Sequence, residues 1–252
     1  MIKVDAVTKM FKRRGHTFQA LGPVSLNIEK GEFVTVLGSS GCGKSTLLHI
    51  IGGFEVASTG GVLLNGQPIT HPTRKLGMVF QEATLFPWKT VLQNIAWPIE
   101  QTGKSKAQAL DEATVYLDKV GLHRFGGAYP NELSGGMRQR AALARTLAMQ
   151  PDVLLMDEPF GALDAQTREE MQEELTRLWQ TSELTVIFIT HDITESIFLG
   201  DRVVVLGRKP GTVMEECTID LPRPRDAQTK ADPKVQSYRT HLWELIRQST
   251  TI

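Results

Sequence analysis

The residues best suited to phosphate chemistry form a glycine-rich segment with one lysine. The run GSSGCGKST, from Gly38 to Thr46, matches the pattern GxxxxGK[ST]. Glycines let successive backbone N–H groups point at phosphate oxygens, Lys44 supplies positive charge for the outer phosphates, and the Ser45 hydroxyl suits Mg²⁺. The predicted nucleotide site comprises Gly38, Ser39, Ser40, Gly41, Cys42, Gly43, Lys44, Ser45 and Thr46.

A pair of adjacent carboxylates follows the apolar run Val153–Met156. In α/β sheets, ligands bind at the carboxyl ends of the strands. Asp157 is therefore predicted to hold Mg²⁺ or its waters, and Glu158 to polarise an attacking water as a general base. A solvated acidic turn is the alternative, but a buried strand has little reason to end in two acids.

A second anion-seeking helix start lies roughly 90 residues after the first. The run LSGGMRQR, which begins at Leu133, places a serine and two glycines at the start of a predicted helix, where backbone N–H groups are exposed. One bound nucleotide needs only one phosphate cradle. A second cradle is therefore unexpected in one chain with one nucleotide, and on its own this segment could equally be a helix cap and a bend.

The run LSGGMRQR resembles the signature motif of ATP-binding-cassette (ABC) ATPases, and the resemblance covers the chain from about Ile2 to Leu221. In this family two subunits pack head to tail, and the signature motif of each closes over ATP held by the other. The resemblance therefore implies a second copy of this chain as a partner. The residues implied to contact ATP in trans are Leu133, Ser134, Gly135, Gly136, Met137 and Gln139.

Further positions match family motifs one by one. Gln81 matches the glutamine that ligates Mg²⁺ and senses the transmembrane partner, and His191 matches the switch histidine that contacts the γ-phosphate. Asp164 matches the D-loop at the dimer contact, although Gly161 stands where the family usually has serine. The implied catalytic residues are Lys44, Glu158 and His191, and the implied Mg²⁺ ligands are Ser45, Gln81 and Asp157.

The aromatic residue that stacks on adenine is assigned by position. Phe11 falls where the family places this aromatic, often a tyrosine, and stacking needs only the face of a ring. Phe18 is the competing candidate.

Apolar runs and helical spacing predict the elements that position these residues. Continuous apolar runs such as Thr35–Leu37 and Val186–Ile189 are typical of parallel strands buried on both faces, and Asn65-Gly66 predicts a hairpin. The predicted fold is an α/β P-loop NTPase core with an antiparallel β subdomain and an inserted α-helical subdomain. The predicted limits are 1–87 and 151–220 for the core, 88–150 for the helical part, 1–220 for the whole ATPase domain, and 221–252 for a C-terminal extension.

Composition excludes several classes of protein. The 28 Lys and Arg balance the 28 Asp and Glu, so the basic excess of a nucleic-acid-wrapping protein is missing. No apolar run approaches the ~18 residues of a membrane-spanning helix. Two cysteines, Cys42 and Cys217, are too few for a disulfide scaffold. Cys42 either carries an oxidisable thiolate at the helix N-terminus or fills the loop as a small side chain.

Three segments resemble importer subunits of the nitrate/sulfonate/taurine group: LFPWKTV from Leu85, DEPFGALDAQTR from Asp157, and PRPR from Pro222. This resemblance implies an ATPase that uses ATP and Mg²⁺ and drives solute import through separate permease subunits. A solute-binding protein is implied indirectly, and the implied location is the cytoplasmic face of the membrane, as a peripheral protein. No nucleic acid is expected.

Two segments, the apolar loop near Trp88 and the C-terminal tail, each allow two interpretations. Phe86, Pro87 and Trp88 either form a permease-binding surface or pack inside a hinge. The tail from Pro222 either contacts anionic lipid or forms a surface helix over Val235–Gln248 with Leu242 and Leu245 packed inwards.

Two other functions compete with the importer ATPase. A soluble ABC-type ATPase acting on nucleic acid would need long coiled-coil insertions or two cassettes, and 252 residues leave room for neither. In a P-loop kinase of small molecules, the LSGGMRQR motif and the series Glu158, Asp164 and His191 would have no role.

Overall fold

The computed structural model describes residues 1–13, 15–208, 210–226 and 228–250. The chain divides into two compact units, the first made of Met1–Thr73 with Glu183–Ile252 and the second of Arg74–Ser182. The strands are β1 (Ile2–Arg13), β2 (His16–Ile28), β3 (Phe33–Gly38), β4 (Thr59–Leu64), β5 (Gln67–Pro68), β6 (Leu76–Val79), β7 (Val153–Asp157), β8 (Thr185–Thr190), β9 (Arg202–Leu206) and β10 (Val213–Thr218). The α-helices are α1 (Lys44–Ile51), α2 (Val91–Glu100), α3 (Lys106–Lys119), α4 (Gly135–Leu147), α5 (Ala165–Gln180), α6 (Ile193–Leu199) and α7 (Pro233–Thr250).

The first unit contains an antiparallel sheet in the order β2-β1-β4-β5. The predicted hairpin is confirmed: Asn65 and Gly66, with φ of 51° and 77°, join β4 to β5. The sequence pattern predicts a first strand over Ile2–Thr8 only, but β1 continues to Arg13 because Phe11 pairs with Phe18 and carries the β1–β2 ladder further. Charged residues around Lys12 break the alternation of apolar and polar residues, so the pattern there does not indicate a strand.

The first unit also contains a parallel group of strands, with β3 between β8 and β9 and with β10 antiparallel to β9. Every residue of β3 and β8 is buried, as their continuous apolar runs predict. In the register of the pair, Leu37 lies opposite Thr190. The loops that follow these two strands therefore leave the sheet at the same edge.

The second unit pairs β6 with β7 in parallel, with Val79 opposite Met156. Its helices α2, α3 and α4 share one apolar core, which confirms the predicted helical region. Ser105 caps α3 with a reciprocal capping box to Gln108, and Asp164 caps α5 by accepting from the Thr167 N–H. The predicted limits of the core and helical subdomains stay a prediction.

The C-terminal extension ends in α7, which begins two residues before the predicted surface helix and ends two residues after it. Val235 and Leu242 are buried in an apolar cluster of the first unit, and Leu245 is packed against it. Among the described residues, no helix is long and apolar enough to cross a membrane.

Candidate functional site

The phosphate-binding segment lies between β3 and α1, in the strand–loop–helix context that its pattern requires. Glycine is needed at two positions, Gly38 and Gly43, because atoms of other residues lie close by. A Cβ on Gly38 would lie 2.7 Å from the Cys42 sulfur and 2.8 Å from the Leu206 carbonyl oxygen. Gly43 has φ 101°, and a Cβ there would lie 2.6 Å from a methyl group of Leu21. Residues with side chains would therefore distort the loop at both positions.

The polar groups of this loop suit a bound anion. Lys44 is 4% exposed, and its ammonium donates to the carbonyl oxygens of Gly38 (2.8 Å) and Ser39 (3.3 Å). The buried hydroxyl of Ser39 has no hydrogen-bond partner within the part of the chain that the structure describes. Gly43 precedes α1 without a side-chain cap. A buried hydroxyl donor, a helix N-terminus and a lysine are the groups that phosphate oxygens accept from.

Cys42 is buried, with 1% of its surface exposed, and its sulfur lies against Gly38. Burial raises the pKa of the Cys42 thiol, although the charge of Lys44 acts in the opposite direction. Of the two interpretations left open by the sequence, the structure therefore favours a small side chain that fills the loop.

This environment makes the alkylation of Cys42 dependent on high pH. In a Cys217→Ser background, we expect iodoacetamide to react slowly at pH 8, and its rate to keep rising above the ~8.5 at which an ordinary thiol is half ionised. The thiolate is the reacting species, so a raised pKa moves the whole rate profile upwards in pH. A short peptide of the sequence GSSGCGKST is the matched control. Identical pH midpoints for peptide and protein would contradict the effect of burial.

His191 directly follows β8 and is exposed. The pairing of Leu37 with Thr190 places it at the sheet edge where the phosphate-binding segment begins. The Thr190 hydroxyl accepts from the Asp192 N–H (2.9 Å) and donates to the Glu195 carboxylate. Asp192 caps α6 by accepting from the Glu195 N–H (3.0 Å), and the Glu195 carboxylate accepts from the Thr190 hydroxyl.

The two candidate aromatic residues form one stacked pair near the tip of the β1–β2 hairpin. The ring centroids of Phe11 and Phe18 are 5.6 Å apart, and the Lys9 ammonium lies 4.9 Å from the Phe11 ring centroid. Phe18 is 50% exposed, whereas Phe11 is half-buried. The adenine-stacking role of Phe11 stays a prediction, and Phe18 presents the more accessible ring.

In the second unit, the paired acids follow β7 as predicted, with Asp157 as the last residue of the strand. Glu158 has φ 43°, in the left-handed region that residues with a Cβ seldom adopt. Its carbonyl oxygen accepts from the Gly161 N–H (3.1 Å). A Cβ on Gly161 would lie 3.6 Å from the amide nitrogen of Gln81, so Gln81 lies beside this turn. The pair of strands thus brings Gln81, Asp157 and Glu158 to one edge of the second unit.

The backbone of Glu158 leads to a stability prediction. Glu158→Gly and Glu158→Ala remove the same carboxylate, but we expect the glycine variant to be more stable by about 1 kcal/mol, since only glycine adopts positive φ without steric cost. Denaturant midpoints measure the difference. Glu173 provides the control, because it is exposed on helix α5. There the Glu173→Ala variant should be more stable than the Glu173→Gly variant. If the Ala variant were the more stable one at both positions, the Glu158 backbone would not be strained.

The signature segment starts α4, as its sequence predicts. Ser134 is exposed and caps the helix, with its hydroxyl accepting from the Met137 N–H (3.3 Å). Gly135 is also exposed, whereas Gly136 and Leu133 are buried. A Cβ on Gly136 would lie 2.4 Å from the methyl group of Thr167, so α4 packs directly on the first turn of α5. Asp164 caps that same turn, which brings the D-loop residue close to the signature segment.

Gln139 also lies within the signature segment but points inwards. It is 3% exposed, and its amide donates to the Phe80 carbonyl oxygen (3.0 Å), immediately before Gln81. Arg145, further along α4, donates to the carbonyl (2.6 Å) and the hydroxyl (3.1 Å) of Thr84. The sequence did not predict the roles of Thr167, Thr84 and Arg145. Their contacts, Thr167 with Gly136 and Arg145 with Thr84, join residues that are far apart in the chain.

The segment that includes Phe86 and Trp88 forms an aromatic cluster on the surface of the second unit. Phe86 contacts Trp88 (5.6 Å between ring centroids) and Trp97 (5.2 Å), and Trp88 is 71% exposed. The Asn94 side chain accepts from the Phe86 N–H (2.7 Å) and donates to its carbonyl (3.2 Å), which holds the loop in place. Exposure on this scale favours a partner surface over a packed hinge.

The chemistry of the predicted metal ligands fits Mg²⁺. Ser45, Gln81 and Asp157 offer a hydroxyl, an amide carbonyl and a carboxylate, all hard oxygen donors. Among the described residues, no group of three or more His, Cys, Asp or Glu side chains could hold a metal ion.

Comparison with known proteins gives consistent results. The profile of the family described as ABC transporter matches residues 21–161. The chain is 44% identical to the nitrate import ATP-binding protein NrtD of Synechocystis sp. over 98% of this chain and 95% of the relative. It is 45% identical to the taurine import ATP-binding protein TauB of Rhizobium johnstonii over 96% of this chain and 95% of the relative.

A solved structure agrees with the same fold. The dimeric structure of a post-hydrolysis state of the ATP-binding cassette MJ0796, bound to ADP and Pi, is similar with a TM-score of 0.79 and 35% identity. The similarity covers 88% of this chain and all of the other. The predicted P-loop α/β class is thereby confirmed.

Proposed function

The chain belongs to the family of ABC transporter ATP-binding proteins, which are ATPases, and we propose that it energises import of a small anionic or zwitterionic solute of the nitrate, sulfonate or taurine kind. The observation that carries this proposal is the similarity to two import ATP-binding proteins over nearly the whole of both chains. The cargo itself would be selected by a separate permease and, indirectly, a solute-binding protein.

The proposed chemistry is hydrolysis of the terminal phosphoanhydride of ATP. Backbone N–H groups of Gly38–Thr46 and the Lys44 ammonium bind the phosphate oxygens, and the adenine ring stacks on Phe11. The Glu158 carboxylate orients a water and accepts its proton as the water oxygen attacks the γ-phosphorus; the bond from this phosphorus to the bridging β-phosphate oxygen breaks, and ADP and phosphate leave. His191 donates to the γ-phosphate. Ser45, Gln81 and Asp157 would hold Mg²⁺, which would supply positive charge beside the phosphate oxygens.

We place the active assembly in a head-to-tail dimer of two copies. Ser134 and Gly135 are exposed at the N-terminus of α4, where backbone N–H groups can meet the ATP of the second copy. Asp164 would lie at the contact between copies. The dimeric form of the similar MJ0796 cassette supports this arrangement. Two-fold symmetry would then create two equivalent composite sites.

The surface that transmits ATP hydrolysis to the permease is proposed to be the aromatic cluster of Phe86, Trp88 and Trp97. Trp88 (71%) and Trp97 (38%) are exposed, Phe86 is half-buried between them, and Asn94 holds the Phe86 backbone in place, which are properties of a rigid docking surface. The chain would thereby be held at the cytoplasmic face of the membrane as a peripheral subunit.

Photo-crosslinking tests this docking. A photoreactive amino acid at Trp88 should form a covalent adduct with a membrane-spanning protein in native membranes. The matched control places the same photoreactive amino acid at the position of Trp243, an exposed tryptophan of the first unit. It should give no such adduct. Adducts only with soluble proteins or nucleic acid would contradict the importer function. Growth of a deletion strain on nitrate as the sole nitrogen source, or on taurine or alkanesulfonates as the sole sulfur source, then identifies the cargo.

A further inference from the structure

The C-terminal end of α6 is bound by two arginines that come from beyond the last strand. The final carbonyls of a helix have no partner inside it and carry the negative end of the helix dipole. In α6, Arg225 Nη1 donates to the carbonyls of Ile197 (2.9 Å), Phe198 (3.2 Å) and Gly200 (2.7 Å). Arg223 Nη2 donates to the carbonyl of Leu199 (2.6 Å). Four successive carbonyls are thus bound by one short segment.

This segment, Leu221–Arg225, is here called the arginine strap. The Arg225 side chain is only 1% exposed, and its Nη2 also donates to the carbonyls of Ile219 (3.3 Å) and Leu221 (3.4 Å). Burial lowers the pKa of Arg225 to about 10, and the neighbouring Arg223 acts in the same direction, so the guanidinium is still charged at neutral pH. A buried charge with several carbonyl acceptors is a strong and specific attachment.

The arginine strap has its own anchors in the first unit. Arg223 forms an ion pair with Asp201 (2.8 Å), and the second oxygen of Asp201 accepts from the Phe33 N–H at the start of β3 (3.1 Å). Leu221 is buried with Ile197 of α6 and Leu242 of α7. The strap therefore joins α6 to the sheet and to the C-terminal helix.

The other end of α6 determines the backbone next to His191. Thr190 and Asp192, which flank this histidine, are both bonded to Glu195 in the first turn of α6. In the middle of the helix, the Ser196 carbonyl accepts from the Thr35 hydroxyl of β3 (3.2 Å). Because α6 spans only 7 residues, a displacement of its last turn moves its first turn as well.

We propose that Arg223 and Arg225 are positioning residues for ATP hydrolysis: they hold the last turn of α6, and through this short helix they fix the backbone on both sides of His191. The proposal rests on the switch role assigned to His191 under the proposed function. The arginine strap is then a working part of the ATPase site, although it lies outside the residues 21–161 that match the family profile.

A role limited to fold stability makes a different prediction. Removing a buried arginine that only stabilises the fold lowers the melting temperature but leaves kcat of the remaining folded molecules unchanged. A positioning role lowers kcat with little change in nucleotide affinity. It also requires that the effect disappears when His191 is absent, because residues that act through one another are not additive.

The test is a double-mutant cycle in the full-length chain, with Mg-ATP hydrolysis measured per folded molecule. We expect Arg225→Gln to lower kcat about tenfold with His191 present and less than about twofold in a His191→Ala background. Arg225→Lys keeps the charge but lacks the planar fork, and should lie between wild type and Arg225→Gln. Hydrogen exchange of the Ser196 and Gly200 amides should be faster in both variants.

Arg202→Gln is the matched control, since this arginine pairs with Glu32 (2.7 Å) and donates to the Asn27 carbonyl (2.7 Å) in the same unit. It should lower the melting temperature without changing kcat. Unchanged amide exchange in the Arg225 variants would overturn the structural claim. Faster exchange with wild-type kcat, or equal effects in both histidine backgrounds, would overturn the positioning role.

A separate outcome bears on the proposed function. If His191→Ala alone hydrolyses ATP at the wild-type rate, the switch role of His191 fails and the positioning role fails with it. The exchange data would then still show whether the arginine strap holds α6.

Discussion

Glu158→Gln is expected to bind ATP and to lose its turnover by about 10²–10⁴-fold, the range that a general base contributes. The amide has nearly the same shape as the carboxylate but cannot accept a proton from the attacking water. Hydrolysis is therefore blocked after nucleotide binding, and the ATP-bound dimer should accumulate. Steady-state phosphate release and size-exclusion chromatography with ATP measure the two effects.

The matched control for this substitution is Glu173→Gln, which removes one exposed carboxylate from α5 in the same unit. It should leave both turnover and the monomer–dimer equilibrium at wild-type values. Wild-type ATP hydrolysis by Glu158→Gln would exclude Glu158 as the base. Lost hydrolysis without an accumulated dimer would instead argue against the two-copy site.

Ser134→Arg is expected to lower the rate of ATP hydrolysis by more than about 100-fold. The isolated chain should still bind nucleotide. Ser134 is exposed at the start of α4, where we propose that the second copy presents its ATP. A long cation at this position keeps the two copies apart. In a Glu158→Gln background, the added arginine should remove the ATP-dependent dimer seen by size-exclusion chromatography.

Two further variants separate the causes. Ser134→Ala loses the helix cap, which costs about 1 kcal/mol of stability, without adding bulk or charge. Ser182→Arg introduces the same arginine at another exposed serine of the second unit. Both should retain the ATP-dependent dimer. A Ser134→Arg protein that still dimerises and hydrolyses ATP would contradict the head-to-tail arrangement.

Much of the fold could be predicted because it depends on short-range patterns. The caps Ser105, Ser134 and Asp164 each act on backbone three residues away, so their motifs indicate helix starts directly. The continuous apolar runs of β3 and β8 likewise identify buried strands. The extended β1–β2 hairpin escaped prediction because its outer part depends on the pairing of Phe11 with Phe18, not on local alternation.

The sequence by itself determined the phosphate-binding segment, the paired acids and the family, because each depends on residues that are consecutive in the chain. Only the tertiary structure decided which side chains hold these segments in place. Gln139 on the Phe80 carbonyl, Thr167 against Gly136 and Arg225 on the end of α6 join residues separated by between 25 and 59 positions. Such contacts follow from the packing of whole elements, which no local pattern encodes.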